Sequence, residues 1–137
     1  MFCKFDRLLS LEDNSTYCYP CDFMSPKNWE IIQKQGLHGI HEVLILSNTL
    51  NEENETGEKV FLYQMGPEAK ISDAIAHDTW EQVVIIEGEL AWLNQDEIHS
   101  VQCLIEKGGY VNRPPHIMHG PFRAGSKGCL MFVRLYY

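Results

Sequence analysis

The sequence is short of basic residues: 11 lysines and arginines stand against 19 aspartates and glutamates, which gives a formal net charge of −8. Nucleic acids and anionic membrane surfaces select basic patches, so this balance argues against either as the main partner. Long apolar runs are also missing, because no stretch reaches the ~18 apolar residues of a membrane-spanning helix. Lys4, Asp6 and Arg7 interrupt the first ten positions, unlike a secretory signal. We therefore expect a cytoplasmic protein.

The cysteines do not suggest a disulfide framework. The five of them, Cys3, Cys18, Cys21, Cys103 and Cys129, are odd in number, and the expected compartment is reducing. Cys18 and Cys21 form a lone CxxC without the second pair or the histidines that a structural zinc site requires, so we interpret the pair as incidental. Cys103 lies in an apolar run and is predicted to be a small core residue.

No segment has the period of an amphipathic helix. Short runs of β-forming residues alternate instead with turn signals at intervals of roughly 8–12 residues, which is typical of an all-β sandwich or barrel. About six to eleven strands of ordinary length are expected. The predicted strands are Val43–Leu46, Val60–Met65, Ile71–His77, Gln82–Ile86, Leu90–Leu93, Ser100–Ile105, Tyr110–Asn112 and Gly128–Tyr137. We predict one domain over residues 31–137, preceded by an N-terminal arm over residues 1–30.

Two segments carry residues that could bind a metal. His77 and Glu81 are separated by three residues in a strand context, and His119 follows a segment stiffened by Pro114 and Pro115. A metal site needs neutral imidazole and carboxylate donors that converge from rigid elements. Any one of these residues alone would more often be solvated or hydrogen-bonded. Their joint spacing favours a site.

These segments resemble the two motifs of the cupin superfamily: His77, Glu81 and Gly88 fit the first, and Gly108, Pro114 and His119 fit the second. From about residue 40 to residue 137 the chain is similar to the cupin domain of ChrR-type anti-sigma factors and to small cupins such as the acetylacetone-cleaving dioxygenases. The resemblance implies a double-stranded β-helix barrel (a jelly roll) and a metal ion bound by His77, Glu81 and His119.

One position departs from the family pattern. Ile75 stands where the first motif usually has its first histidine, so the resemblance implies three protein ligands, where the usual motifs supply four. Two histidines and one carboxylate leave open positions and suit Fe, Mn, Ni or Zn. His116 is an alternative ligand, but the alternation of side chains along a strand disfavours His116 and His119 both pointing inward.

Several polar residues near these motifs have two interpretations. Arg113 could orient an anionic substrate, or it could be a solvated residue at a strand end, because buried arginine is rarely unpaired. Tyr63, Gln64 and Arg134 are further candidates for the barrel interior. No catalytic residue is assigned.

The sequence leaves three hypotheses about function open. The first is a metal-dependent dioxygenase acting on a small organic substrate of the diketone or phenolic ketone type. The alternative is a non-catalytic module that binds a metal or a small ligand, and a degenerate, inert barrel is a third reading. The chain is short for the helical domain with which a sensor would hold a sigma factor, which weakens the regulator reading. We expect a homodimer, because small cupins often pair and twofold symmetry is common. Fold analogy cannot choose the substrate.

Overall fold

The structure is a computed structural model, and it describes residues 29–96 and 100–137. All regular secondary structure in these ranges is β-strand, so no helix there could cross a membrane. The strands are β1 (Glu30–Ile31), β2 (Leu37–His38), β3 (His41–Asn48), β4 (Glu58–Met65), β5 (Lys70–Ile71), β6 (Trp80–Leu93), β7 (Val101–Glu106), β8 (Tyr110–Arg113) and β9 (Phe122–Tyr136). The Cys18–Cys21 pair and nearly all of the predicted arm lie outside the described residues.

The two longest strands, β6 and β9, connect the two halves of a curled antiparallel sheet. In one half the strand order is β1-β3-β4-β9-β6-β8, with the C-terminal part of β9 between β4 and the N-terminal part of β6. In the other half the order is β2-β5-β9-β6-β7, because the remaining parts of the same two strands pair there. Long strands shared between two half-sheets form the predicted jelly-roll barrel.

Glycines let β6 and β9 bend without ending. The register of β6 against β9 shifts on both sides of Gly88, which has a φ of +77° and pairs with Cys129. Gly128, the residue before Cys129, has a φ of +83°. A Cβ atom on Gly88 would lie 2.0 Å from the Gly128 carbonyl oxygen. The sequence predicts separate strands, Gln82–Ile86 and Leu90–Leu93, on either side of Gly88, and this is wrong, because β6 runs through this glycine without a break. Gly88 forms a β-bulge, which changes the direction of one continuous strand.

Two further sequence predictions need correction. The predicted strand Ile71–His77 ends at Ile71, and only Ile75 pairs again, as an isolated bridge to His119. Cys103 was predicted to be a core residue, but it is exposed. Within the described residues β7 pairs only with β6, so it is an edge strand. An apolar run on an edge strand therefore resembled a core strand in the sequence.

The core of the barrel positions the functional residues. Val83 and Ile85 of β6 pack with Met131 and Val133 of β9, and all four are at most 5% exposed. Side chains two residues apart share one face of a strand, so Glu81 lies on the same inner face as Val83 and Ile85. Burying each of these apolar side chains contributes roughly 1.5–3 kcal/mol to the stability of the barrel.

Candidate metal centre

Glu81 enters the site from the second position of β6. Its backbone pairs with Leu135 of β9 on one side and with Arg113 of β8 on the other. The inner face of the strand places its carboxylate in the barrel, where the residue is 9% exposed. A carboxylate at this depth requires partners, because an unpaired buried charge is strongly unfavourable.

His119 is held by its backbone and by its ring. Its backbone exchanges two hydrogen bonds of 2.9 Å with Ile75, and its Nδ1 lies 2.8 Å from the Ile117 carbonyl oxygen. A carbonyl can only accept, so Nδ1 carries the hydrogen and a neutral ring presents the lone pair of Nε2. The burial of the ring lowers the pKa of His119, which favours this neutral form. His119 is 2% exposed.

His77 completes the cluster from the segment between Ile75 and β6. Its carbonyl accepts a 2.8 Å hydrogen bond from the His116 backbone N–H, and the bend at residues 78–79 then turns the chain into β6. His77 Nε2 lies 3.9 Å from Glu81 Oε1, and the rings of His77 and His119 have centroids 5.2 Å apart. Ligand atoms of His77, Glu81 and His119 all lie within 4.8 Å of one another. The three candidates from the sequence therefore converge.

The donor atoms at the centre of this cluster fit a cation. His119 Nε2 is buried without a hydrogen-bond partner among the described residues, yet it lies 3.2 Å from Glu81 Oε2. The lone pair of a neutral imidazole therefore stands beside a carboxylate oxygen, and neither atom can donate to the other. A divalent cation bound by both would satisfy them, and a set of two imidazoles and one carboxylate suits Fe, Mn, Ni or Zn.

Arg113 is a buried partner of Glu81, so the reading of it as a solvated residue is wrong. The residue is 6% exposed, and its Nη1 donates a 2.8 Å hydrogen bond to Glu81 Oε2. The guanidinium carbon lies 5.8 Å from the ring centroid of Trp92 and 5.5 Å from that of Phe122. Its place directly opposite Glu81 is a matter of strand register, which a single sequence does not reveal.

The remaining candidates divide between the cavity and the surface. His116 has a φ of +65°, its exposed ring lies 3.3 Å from Asp78 Oδ1, and it is not part of the cluster of candidate ligands. Ile75 lines the cavity, as expected from its place two residues before His77. Arg134 instead binds Glu58 and Gln82 outside the cavity.

The site opens into a cavity of about 670 Å³ whose lining is mostly apolar, including Val43, Phe61, Ile75, Val83, Phe122 and Val133. Tyr63 lies on the same wall, and its hydroxyl is 2.7 Å from Nδ1 of the fully buried His41. His41 Nε2 lies 2.9 Å from the His38 carbonyl oxygen, so Nε2 donates and Nδ1 accepts from Tyr63. Burial raises the pKa of Tyr63 to about 12, so the hydroxyl keeps its proton. Sequence reasoning missed His41, which has no motif.

Comparison with known proteins gives similarity at the level of structure. No protein-family model and no curated protein matches the chain. The acetylacetone dioxygenase of Acinetobacter johnsonii matches with a TM-score of 0.63 and 12% identity, over 82% of this chain and 70% of that one. A cupin-like protein of Thermotoga maritima matches with a TM-score of 0.58 and 16% identity, over 78% and 75%. The Rhodobacter sphaeroides complex of SigE with the anti-sigma ChrR matches with a TM-score of 0.52 and 10% identity, over 78% and 47%.

The chain therefore has the cupin fold, as its motifs predicted. At these identities the likeness defines the barrel and leaves the activity open, since one fold carries many functions. An enzyme and a regulatory protein both stand among the matching structures. Whatever function this barrel has depends on its own residues, and His77, Glu81, His119 and the cavity beside them form the candidate site.

Proposed function

We propose that this protein is a metal-binding cupin that holds one divalent ion, Fe, Mn, Ni or Zn, through His77, Glu81 and His119. One observation carries the proposal: Nε2 of His119 is buried, has no hydrogen-bond partner among the described residues and lies 3.2 Å from a carboxylate oxygen. Buried polar atoms are nearly always satisfied in folded proteins, and a cation bound by both of these atoms would satisfy them. Such an ion would supply Lewis acidity and open coordination positions for a ligand or for dioxygen.

We propose further that the bound molecule is a small organic compound of the diketone or phenolic ketone type, and that the reaction is a dioxygenase reaction. The cavity of about 670 Å³ has the size of a small-molecule site. Its apolar walls would bind the carbon skeleton and exclude water, and Ile75 would keep the side of the site near His119 apolar. The dioxygenase among the matching structures supports this reading only at the level of the fold.

Metal analysis of four purified proteins tests the site. The parent and the His116→Ala variant should each bind about one ion per chain, whereas His77→Ala and His119→Ala should lose stoichiometric binding. His116→Ala is the matched control, because this histidine is exposed and paired with Asp78. Circular dichroism should show an intact barrel in all four. Unchanged metal content in His119→Ala would refute the proposed ligand set.

Turnover needs a separate experiment. Protein loaded with each of the four metals would be mixed with a panel of diketones and phenolic ketones, and oxygen consumption would be measured. Oxygen uptake that requires both the metal and His119 would support the dioxygenase. If a panel member binds without oxygen uptake for any metal, the alternative function is correct: a module that binds a metal or a small ligand and performs no reaction. The pairing of Glu81 with Arg113 favours the form of this alternative that binds a small ligand, because the positive charge of the guanidinium beside the carboxylate opposes a bound cation.

We also propose a homodimer. Within residues 29–96 and 100–137, β7 pairs with β6 alone, and its Val101 and Leu104 are 44% and 48% exposed. An open strand edge with apolar side chains is a natural surface for pairing. Light scattering should give the mass of two chains for the parent and of one chain for a Leu104→Lys variant. A monomeric parent at micromolar concentration would contradict the proposal.

A further inference from the structure

The two oxygens of the Glu81 carboxylate have different neighbours. Oε2 accepts the 2.8 Å hydrogen bond from Arg113 and lies 3.2 Å from His119 Nε2, whereas Oε1 lies 3.9 Å from His77 Nε2. The same oxygen thus faces both the guanidinium and the buried imidazole lone pair. A cation that binds His119 would have to share Oε2 with Arg113 or use Oε1 instead.

Glu81 is the one acidic residue that pairs with Arg113 in the described part of the chain. The Nε of Arg113 is buried without a hydrogen-bond partner among the same residues. The rings of Trp92 and Phe122 lie within 6 Å of the guanidinium carbon and hold it in place. A fixed positive charge this close to a metal site repels a divalent ion, and the repulsion is strong in an interior of low dielectric.

We propose that Arg113 is a positioning residue that competes with the metal for Glu81 and so sets the metal affinity of the site. This inference rests on the proposed metal site and deepens it. With Arg113 paired to Glu81, the charges of the carboxylate and the guanidinium cancel before a metal arrives, so the ion gains less from this carboxylate than it would from a free one. The site therefore holds its ion more weakly than its three ligands alone would, and it exchanges the ion more readily.

The test compares variants of Arg113 by titration with Zn²⁺ and Ni²⁺ against a chromophoric chelator. Arg113→Met keeps a long side chain beside the two rings but removes the charge, and it should lower Kd by about tenfold or more. Arg113→Lys keeps the charge and should stay near the parent. Arg134→Met is the control, because it removes a guanidinium whose partners, Glu58 and Gln82, lie outside the cavity. Its Kd should not change.

Thermal unfolding provides a second measurement, which also works for a variant that is too unstable without metal to be titrated. Arg113→Gln removes the charge and keeps a hydrogen-bond donor, and the increase in Tm on adding Zn²⁺ should be larger for it than for the parent. Tighter binding by both neutral variants supports the inference, because structural damage would weaken binding. Binding equal to or weaker than the parent's overturns the inference and leaves the metal site standing. Absence of binding in the parent and in every variant overturns both.

Discussion

The Glu81–Arg113 pair allows a quantitative test on the metal-free protein. Glu81→Leu would leave a buried guanidinium without its counter-charge, and Arg113→Met would leave a buried carboxylate. Breaking one side of a buried pair costs about 3–5 kcal/mol, whereas replacing both sides by apolar groups of similar size is often close to neutral. The residues are 9% and 6% exposed, so solvent screens the pair little. We expect the double variant to be more stable than either single one, with a coupling energy of about 3 kcal/mol or more.

Urea unfolding with a chelator present measures these free energies. A domain of this size has a total stability of only about 5–15 kcal/mol, so the single variants should show a large shift in midpoint. A parallel cycle on Glu58 and Arg134, both 39% exposed at the side chain, provides the control and should give a coupling of about 0–1 kcal/mol. Equal coupling in the two cycles would refute the claim that the Glu81–Arg113 pair is energetically buried.

Two further predictions test the fold. Gly88→Ala should lower the free energy of unfolding by about 3 kcal/mol or more, because the new Cβ atom would lie 2.0 Å from a backbone oxygen. Gly108→Ala is the control: Gly108 has a φ of +83° and open space around it, so this variant should lose only about 1–2 kcal/mol in the same urea assay. Burial raises the pKa of Cys129 to about 12, so an aromatic disulfide reagent at pH 8 should spare this thiol in the native protein and label the exposed Cys103. Fast labelling should therefore fall by one thiol in Cys103→Ser and should not change in Cys129→Ser; the opposite result would mean that the burial pattern of these strands is wrong.

Much of the barrel could be predicted because its strands carry local signals. The runs around Val43, Val60 and Tyr110 are rich in β-forming residues and fall inside β3, β4 and β8. The errors occurred where tertiary pairing decides the outcome. Gly88 has the sequence of a turn, but its contact with Gly128 across the sheet makes it a bulge. Cys103 has apolar neighbours, but β7 lies at an edge of the described sheet.

The candidate metal ligands could be found for a similar reason. His77 and Glu81 are close in sequence, so their spacing suggests that they can meet at a bend. His119 was a candidate because it follows the segment stiffened by Pro114 and Pro115, and the motif resemblance implied the same three ligands. Arg113 was left undecided because its meaning depends on register: it lies directly across β6 and β8 from Glu81, 32 positions away in the chain. No local pattern marks a buried arginine, since the residue is usually exposed.

The register also explains what Ile75 does to the site. Ile75 and His119 are direct partners in a bridge with two backbone hydrogen bonds, so their side chains lie on the same face of the sheet. The bridge that fixes His119 therefore brings an isoleucine to the place where the motif has a histidine. The Arg113 guanidinium cancels the charge of the Glu81 carboxylate, so the site as a whole has no net charge, and the apolar Ile75 adds no donor. The protein would neutralise little of the charge of a divalent ion bound there, so the ion would attract an incoming ligand strongly, but the affinity of the site for the ion would be low. The occupancy of the parent site therefore tests one requirement of the dioxygenase: a site that fills only when Arg113 is removed would be a poor resident metal centre for that reaction, whereas a filled parent site would leave its open positions ready for a substrate or for a ligand that does not react.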